Sequence, residues 1–152
     1  MKLLSEAIEF ATKLHSKQFR WDWTPYILHP LRIMFKLLEE DSRADETILI
    51  SAVLHDIVED TTATISDIEE KFWTEVASIV SFLTQFKTES YETYIDRLLV
   101  NPKACKIKLL DLEDNFDLKS QSYSGSWNVK KVERLAKYLK AYNKIKNNGK
   151  DI

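Results

Sequence analysis

Residues 46–60 read ETILISAVLHDIVED. Ile48, Leu49, Ile50, Ala52, Val53, Leu54 and Ile57 leave this stretch almost no polar side. The pattern predicts a helix over residues 44–58 that is apolar nearly all round, and such a helix belongs at the centre of a domain. Four ionisable residues interrupt it: His55, Asp56, Glu59 and Asp60. At about 100° per residue they fall within an arc of about 140°. A buried carboxylate without a partner is costly, so this arc calls for a cation or a ligand. Four such groups in six residues of a core helix point to a functional site.

The flanks read as more helix. Leu4, Ala7, Ile8, Ala11 and Leu14 recur at helical spacing. Pro30 suits the first turn of a second helix through Leu31, Met34, Phe35 and Leu38. Between these two, residues 19–28 hold two tryptophans and no clean period, and read as a loop. Ser42 and Asp45 look like a capping box for the central helix, and Thr64 with Asp67 for a short one after it. Val76, Ile79, Val80 and Leu83 mark a fifth helix; Tyr91, Tyr94, Ile95, Leu98 and Leu99 a sixth. Asn101-Pro102 starts a seventh, expected to run to about residue 118 with Cys105, Leu109, Leu112 and Phe116 on one face. A loop-like segment over residues 119–126 precedes a last helix, residues 127–146, marked by Val132, Leu135, Ala136, Leu139 and Tyr142.

Composition agrees with an all-α chain. The 152 residues include only 2 Gly and 3 Pro, where an average chain of this length carries about ten Gly. Gly125 and Gly149 are too few and too late for a glycine-rich phosphate loop or a dinucleotide fingerprint. Strand-rich sandwiches also consume more turn residues than this chain has. The single Cys105 excludes a disulfide framework and a thiolate zinc cluster. With 22 basic and 24 acidic side chains there is no basic surface of the kind a nucleic-acid binder needs. The Lys-rich last helix reads as a solvated face. No apolar run reaches the roughly 18 residues that span a membrane, and Glu6 and Glu9 interrupt the start where a signal peptide is apolar. The expectation is a cytoplasmic protein of one domain, residues 1–152, with no membrane or nucleic-acid partner.

Two further places supply groups that match the central arc. His29-Pro30 stands where a loop enters the second helix. Lys108, Asp111 and Asn115, at i, i+3 and i+7, share a face of the seventh. On spacing alone, Asp111 reads equally well as facing the interior or as a surface charge.

With these residues in place the chain resembles the HD-domain phosphohydrolases, whose ligands run His, His-Asp, Asp. It is most similar to the hydrolase domains of the RelA/SpoT type and to small stand-alone alarmone hydrolases. The resemblance is carried by His15-x-x-Gln18-x-Arg20, by Pro25-Tyr26-Ile27-x-His29-Pro30-Leu31, by residues 52–61 (AVLHDIVEDT) and by Lys108-Leu109-x-Asp111-x-x-x-Asn115. It spans about residues 5–118. It implies a single HD-domain bundle of about seven to eight helices. It also implies one divalent metal ion, Mn²⁺ foremost, held by His29, His55, Asp56 and Asp111. Two imidazoles and two carboxylates without a thiolate suit Mn, Fe or a catalytic Zn on their own chemistry. Glu59 and Asp60 match the family's acidic pair, with Glu59 orienting or deprotonating a metal-activated water. Arg20 and Lys108 would neutralise phosphate charge, and Asn115 would hydrogen-bond ribose or phosphate. His15 is expected to be structural or to orient a ligand or carboxylate, rather than to bind metal.

The chain also departs from the family pattern. Trp21-Asp22-Trp23-Thr24 replaces a second basic residue and a glycine-containing turn, Lys17 stands for a glycine, and Leu112 for a basic residue. The lost basic residues flank guanine in the family; Trp21 or Trp23 offers a stacking surface in their place. The activity implied is removal of the 3′-diphosphate from guanosine tetra- or pentaphosphate, giving GDP or GTP and pyrophosphate. The alternatives are an HD-type phosphatase for another nucleotide, and a nucleotide-binding module without catalysis. No synthetase domain is expected.

Overall fold

The computed structural model describes residues 2–20, 22–116 and 128–148. They form α1 (Lys2–Leu14), α2 (Leu28–Glu40), α3 (Glu46–Leu54), α4 (Ile57–Asp60), α5 (Ile65–Phe72), α6 (Thr74–Leu83), α7 (Tyr91–Leu98), α8 (Pro102–Phe116) and α9 (Val129–Asn148). Among these residues there is no strand, only an isolated antiparallel bridge between Phe19 and Pro25. None of the helices is long and apolar enough to cross a membrane.

The centre is α3, as its composition requires. Every residue from Ile48 to Leu54 is buried, and α1, α2, α6 and α8 pack around it. Its start differs from the expected one. Asp45 alone caps it, accepting from the Ile48 N–H at 2.9 Å, so the helix begins at Glu46 rather than residue 44. Thr64 and Asp67 form the expected capping box on α5, and the Asn101 side chain accepts from the Ala104 N–H at 3.0 Å to open α8. Leu49 has 0% exposure at the crossing of these layers. Leu49→Ala is expected to lower unfolding free energy by about 2–5 kcal/mol, as read by urea denaturation.

The expected helix over residues 44–58 is in fact two. α3 ends at Leu54, His55 and Asp56 form a turn, and α4 follows. Asp56 sits at φ −99°, ψ −2°, a sparsely populated region where active-site residues recur. Apolar burial favoured one continuous helix. The break instead re-aims His55 and Asp56, side by side, at a shared space. One expected helix thereby becomes two described ones, within the all-α bundle expected.

Of two further features, the first sharpens the sequence reading and the second departs from it. The loop after α1 is an ordered turn: Arg20 N–H donates to the Thr24 carbonyl at 2.9 Å, and Tyr26 N–H to the Gln18 carbonyl at 2.9 Å. Trp23 there adopts φ 63°, a left-handed conformation that disfavours a residue with a Cβ by roughly 1–2 kcal/mol. The second is the orientation of α9. It buries Ala141 and Ile145, while Val132 and Leu139 of the expected apolar stripe are 53% and 52% exposed. The loop read over residues 119–126 lies outside the described residues.

Candidate active site

Three elements bring the site together. The entry to α2 carries His29; the turn between α3 and α4 carries His55 and Asp56; α8 carries Asp111. All but the half-buried Asp56 are buried. Spacing left Asp111 open between interior and surface; it is 4% exposed and faces inward.

The ring nitrogens are set by their outer partners. His29 Nδ1 lies 2.7 Å from Asp114 Oδ2 and therefore donates to it. His55 Nδ1 lies 2.9 Å from the Ala52 carbonyl and donates to that. Each ring then points an Nε2 lone pair at the carboxylates. His29 Nε2 is 3.1 Å from Asp111 Oδ1 and 3.6 Å from Asp56 Oδ2. His55 Nε2 is 2.9 Å from Asp56 Oδ2 and 3.8 Å from Asp111 Oδ1. Despite that proximity, His55 Nε2 is buried with no hydrogen-bond partner. Ligand atoms about 2.1 Å from an ion stand about 3–4 Å from one another. The donor atoms of His29, His55 and Asp111 fall within 4.8 Å of each other, and Asp56 adds a fourth donor, a second carboxylate oxygen. This N₂O₂ set fits a divalent cation. Without one the crowding is relieved by protons. Burial opposes charge on both rings, but Asp111 and Asp114 at His29, and Asp56 and Asp111 at His55, outweigh it and raise their pKa values.

Glu59 and Asp60 lie on α4, one turn past His55. Partial burial and then the nearby Asp56 raise both carboxyl pKa values above the usual range. Glu59 Oε1 accepts the backbone N–H of Gln85, which fixes its direction. Asp60 is reached from the end of α1: Gln18 Nε2 donates to its carbonyl at 2.6 Å, and Gln18 Oε1 meets His15 Nδ1 at 2.7 Å. His15 is buried at 2% exposure and its ring stacks 4.9 Å from Tyr26. The Tyr26 hydroxyl in turn donates to Asp56. His15 thus backs Asp60 through Gln18 and Asp56 through Tyr26.

His29, Asp56, Asp111, Glu59, Asp60 and Tyr26 line one cavity of ≈ 360 Å³, which also receives Arg20, Lys108, Asn115, Phe19 and Gln85. The expected substrate contacts are already engaged with the protein. Lys108 Nζ lies 2.7 Å from Asp111 Oδ2. Burial would discharge this amine, but Asp111 holds its pKa well above the usual value. Asn115 Nδ2 donates to Asp111 Oδ1 at 2.8 Å. Arg20 Nη1 pairs with Asp114 at 2.9 Å. Trp23 is 83% exposed and does not line the cavity; Trp21 lies outside the described residues. The aromatic wall is instead Phe19, Tyr26, Tyr91, Tyr94 and Tyr138.

Sequence reading passed over two contributions. Asp114 is 7% exposed and carries His29, Arg20 and Arg32 on one carboxylate, with Arg32 Nε and Nη2 both at 2.8 Å. The signal was its place three residues after Asp111, on the same helix face. The other is α9, read as a solvated face. Arg134, Lys137 and Tyr138 line the cavity, because the helix turns this side toward it.

A family model described as an HD domain matches residues 7–104. A protein of Aquifex aeolicus named guanosine-3′,5′-bis(diphosphate) 3′-pyrophosphohydrolase is 36% identical over 119 residues, 75% of this chain and 17% of that protein. The Xenopus tropicalis protein of that name, MESH1, is 36% identical over 139 residues, 86% of this chain and 77% of its own length. A solved structure superposes with TM-score 0.78 at 28% identity, covering 99% of this chain and 86% of that one. It is the structure of a metazoan ortholog of SpoT that hydrolyzes ppGpp and plays a role in starvation responses.

Proposed function

This chain belongs to the HD-domain family of metal-dependent phosphohydrolases, and we propose that it removes the 3′-diphosphate of guanosine 3′,5′-bis(diphosphate). The observation that carries the reading is the convergence of the His29 and His55 Nε2 atoms with the carboxylates of Asp56 and Asp111, at the wall of a cavity that His29, Asp56, Asp111 and the acidic pair line. Relatives named for this reaction lend the substrate. His29, His55, Asp56 and Asp111 would hold the metal, with Mn²⁺ our choice for a nitrogen–oxygen donor set. When bound, that cation supplies Lewis acidity and lowers the pKa of water toward neutrality.

The chain's own groups do the rest. Glu59, its carboxyl pKa raised above the usual range by burial, takes the proton of the attacking water. The water oxygen bonds to the 3′-phosphorus and the bond from that phosphorus to the ribose 3′-oxygen breaks. The 3′-oxygen leaves with a proton, and we assign its delivery to Asp60. GDP and pyrophosphate result. Lys108, held beside Asp111, and Arg20, held by Asp114, face the phosphates and offset the charge that builds on them. Asn115, at the same wall, offers an amide to ribose or phosphate.

The test is incubation of the Mn²⁺-loaded protein with guanosine 3′,5′-bis(diphosphate). GDP and pyrophosphate are expected, lost with a chelator and regained with Mn²⁺. No turnover with Mn²⁺ present overturns the reading. A second reading keeps the chemistry and changes the nucleotide. It is favoured by the turn at residues 20–24, where the family's guanine-flanking basic residues are missing and Trp23 faces solvent. A panel of 3′-, 2′- and 5′-phosphorylated nucleotides separates the two.

A further inference from the structure

We propose that Arg134 and Lys137 of α9 form a subsite for a second phosphate-bearing group of the substrate, the one that is not cleaved. This rests on the reading of the site as a nucleotide phosphohydrolase. Three observations carry it. First, both residues line the same cavity as His29, Asp56 and Asp111, so an anion held by them shares a ligand with the reacting end.

Second, the orientation of α9 is not the one that apolar burial alone would choose. Arg134, Lys137, Ala141 and Ile145 follow one another at three or four residues and share a face. The later two are buried in the core, and the earlier two stand at the wall of the cavity. Val132 and Leu139 are left more than half exposed on other sides. A helix that leaves Val132 and Leu139 half exposed while turning cations toward a cavity departs from its local pattern, and such departures concentrate at functional sites.

Third, these cations have no carboxylate partner among the described residues. Arg20 is committed to Asp114 and Lys108 to Asp111. Among the described residues, Arg134 and Lys137 make no ion pair with a carboxylate. Lys137 Nζ is held 4.4 Å from the centroid of the Tyr91 ring and 5.6 Å from that of Tyr138. That contact positions the ammonium over the aromatic faces and leaves its N–H groups for an acceptor. An arginine and a lysine beside a cavity with no anion of their own match a phosphate or diphosphate. The ligand class that answers both ends is a nucleotide phosphorylated at two separate positions.

The test compares guanosine 3′,5′-bis(diphosphate) with guanosine 3′-diphosphate, which lacks the second group, on the Mn²⁺-loaded protein. Arg134→Ala is the first variant, because Arg134 is exposed and stands outside the core. Its kcat/KM is expected to fall at least about tenfold more for the two-ended substrate than for the one-ended one. The loss should sit in KM rather than kcat, and Arg134→Lys should recover most of it. Lys137→Gln should act in the same direction. Equal losses on both substrates would mark a structural role and overturn the proposal, as would no loss on either. If the wild-type protein turns over neither nucleotide, the functional reading fails on its own. Titration calorimetry of both nucleotides in the presence of chelator then decides the subsite. Tighter binding of the two-ended nucleotide that Arg134→Ala abolishes supports it; equal affinities overturn it.

Discussion

Glu59→Gln is expected to lower turnover by about 10²–10⁴-fold, the usual loss when a general base is removed, while metal affinity and melting temperature stay unchanged. The side chain makes one structural bond, accepting the Gln85 N–H through Oε1. Glutamine presents a carbonyl oxygen of the same reach, so that bond survives. The amide cannot take a proton, and so the only property removed is basicity. Burial raises the carboxyl pKa above its usual value, which brings it closer to the working pH and makes it a stronger base. Steady-state kinetics with guanosine 3′,5′-bis(diphosphate), alongside Mn²⁺ titration and thermal melting, separates the roles. Full activity in Glu59→Gln would refute the assignment. A loss of metal binding would instead make Glu59 a ligand.

Asp114→Asn should weaken Mn²⁺ binding by about 10–100-fold, the range for loss of a partner that orients a histidine ligand. One carboxylate here does three things. It accepts His29 Nδ1–H at 2.7 Å, which keeps the Nε2 lone pair aimed at Asp56 and Asp111. It also pairs with Arg20 and with both near nitrogens of Arg32. Burial works against its charge, yet Arg32 and His29 hold the carboxyl well below the usual range, so it is ionised at every working pH. Asp114→Ala removes the acceptor as well as the charge and strands the guanidiniums. Breaking such a pair from one side costs about 3–5 kcal/mol when fully buried. With Arg32 44% exposed, the lower end is expected. Calorimetric titration with Mn²⁺ and urea unfolding read the two effects separately. Unchanged metal affinity in Asp114→Asn would mean that packing alone orients His29.

Much of this molecule was legible in one dimension. The all-round apolar run from Ile48 to Leu54 can only lie at a centre, and it does. The four ionisable groups after it were conspicuous because burial makes such groups costly. Thr64 with Asp67 and Asn101-Pro102 announced their helix starts through local hydrogen bonds that need no tertiary partner. The scarcity of glycine removed the option of binding phosphate with backbone amides, which left side chains and a cation.

What could not be read were properties set by which faces meet. The break at His55-Asp56 opposes the local helical pattern, and it lies where α2 and α8 bring His29 and Asp111 to the same point. Asp114 looked like one acid in an acidic run; its burial follows from the packing of α2 on α8. The turn of Arg134 and Lys137 toward the cavity has the same origin. The sequence of α9 offers two stripes, an apolar one through Val132 and Leu139 and a mixed one through Arg134, Lys137 and Ala141. Periodicity chooses the first, because it counts only apolar area. The folded chain shows the second, because α7 and α8 provide α9 with a small apolar contact at Ala141 and Ile145 and, beyond it, a polar cavity. The sequence therefore determined the helices, the core and the donor atoms of the site. Tertiary structure alone decided where those atoms converge and which cations face them, since a side chain's neighbours across the fold are absent from any local pattern.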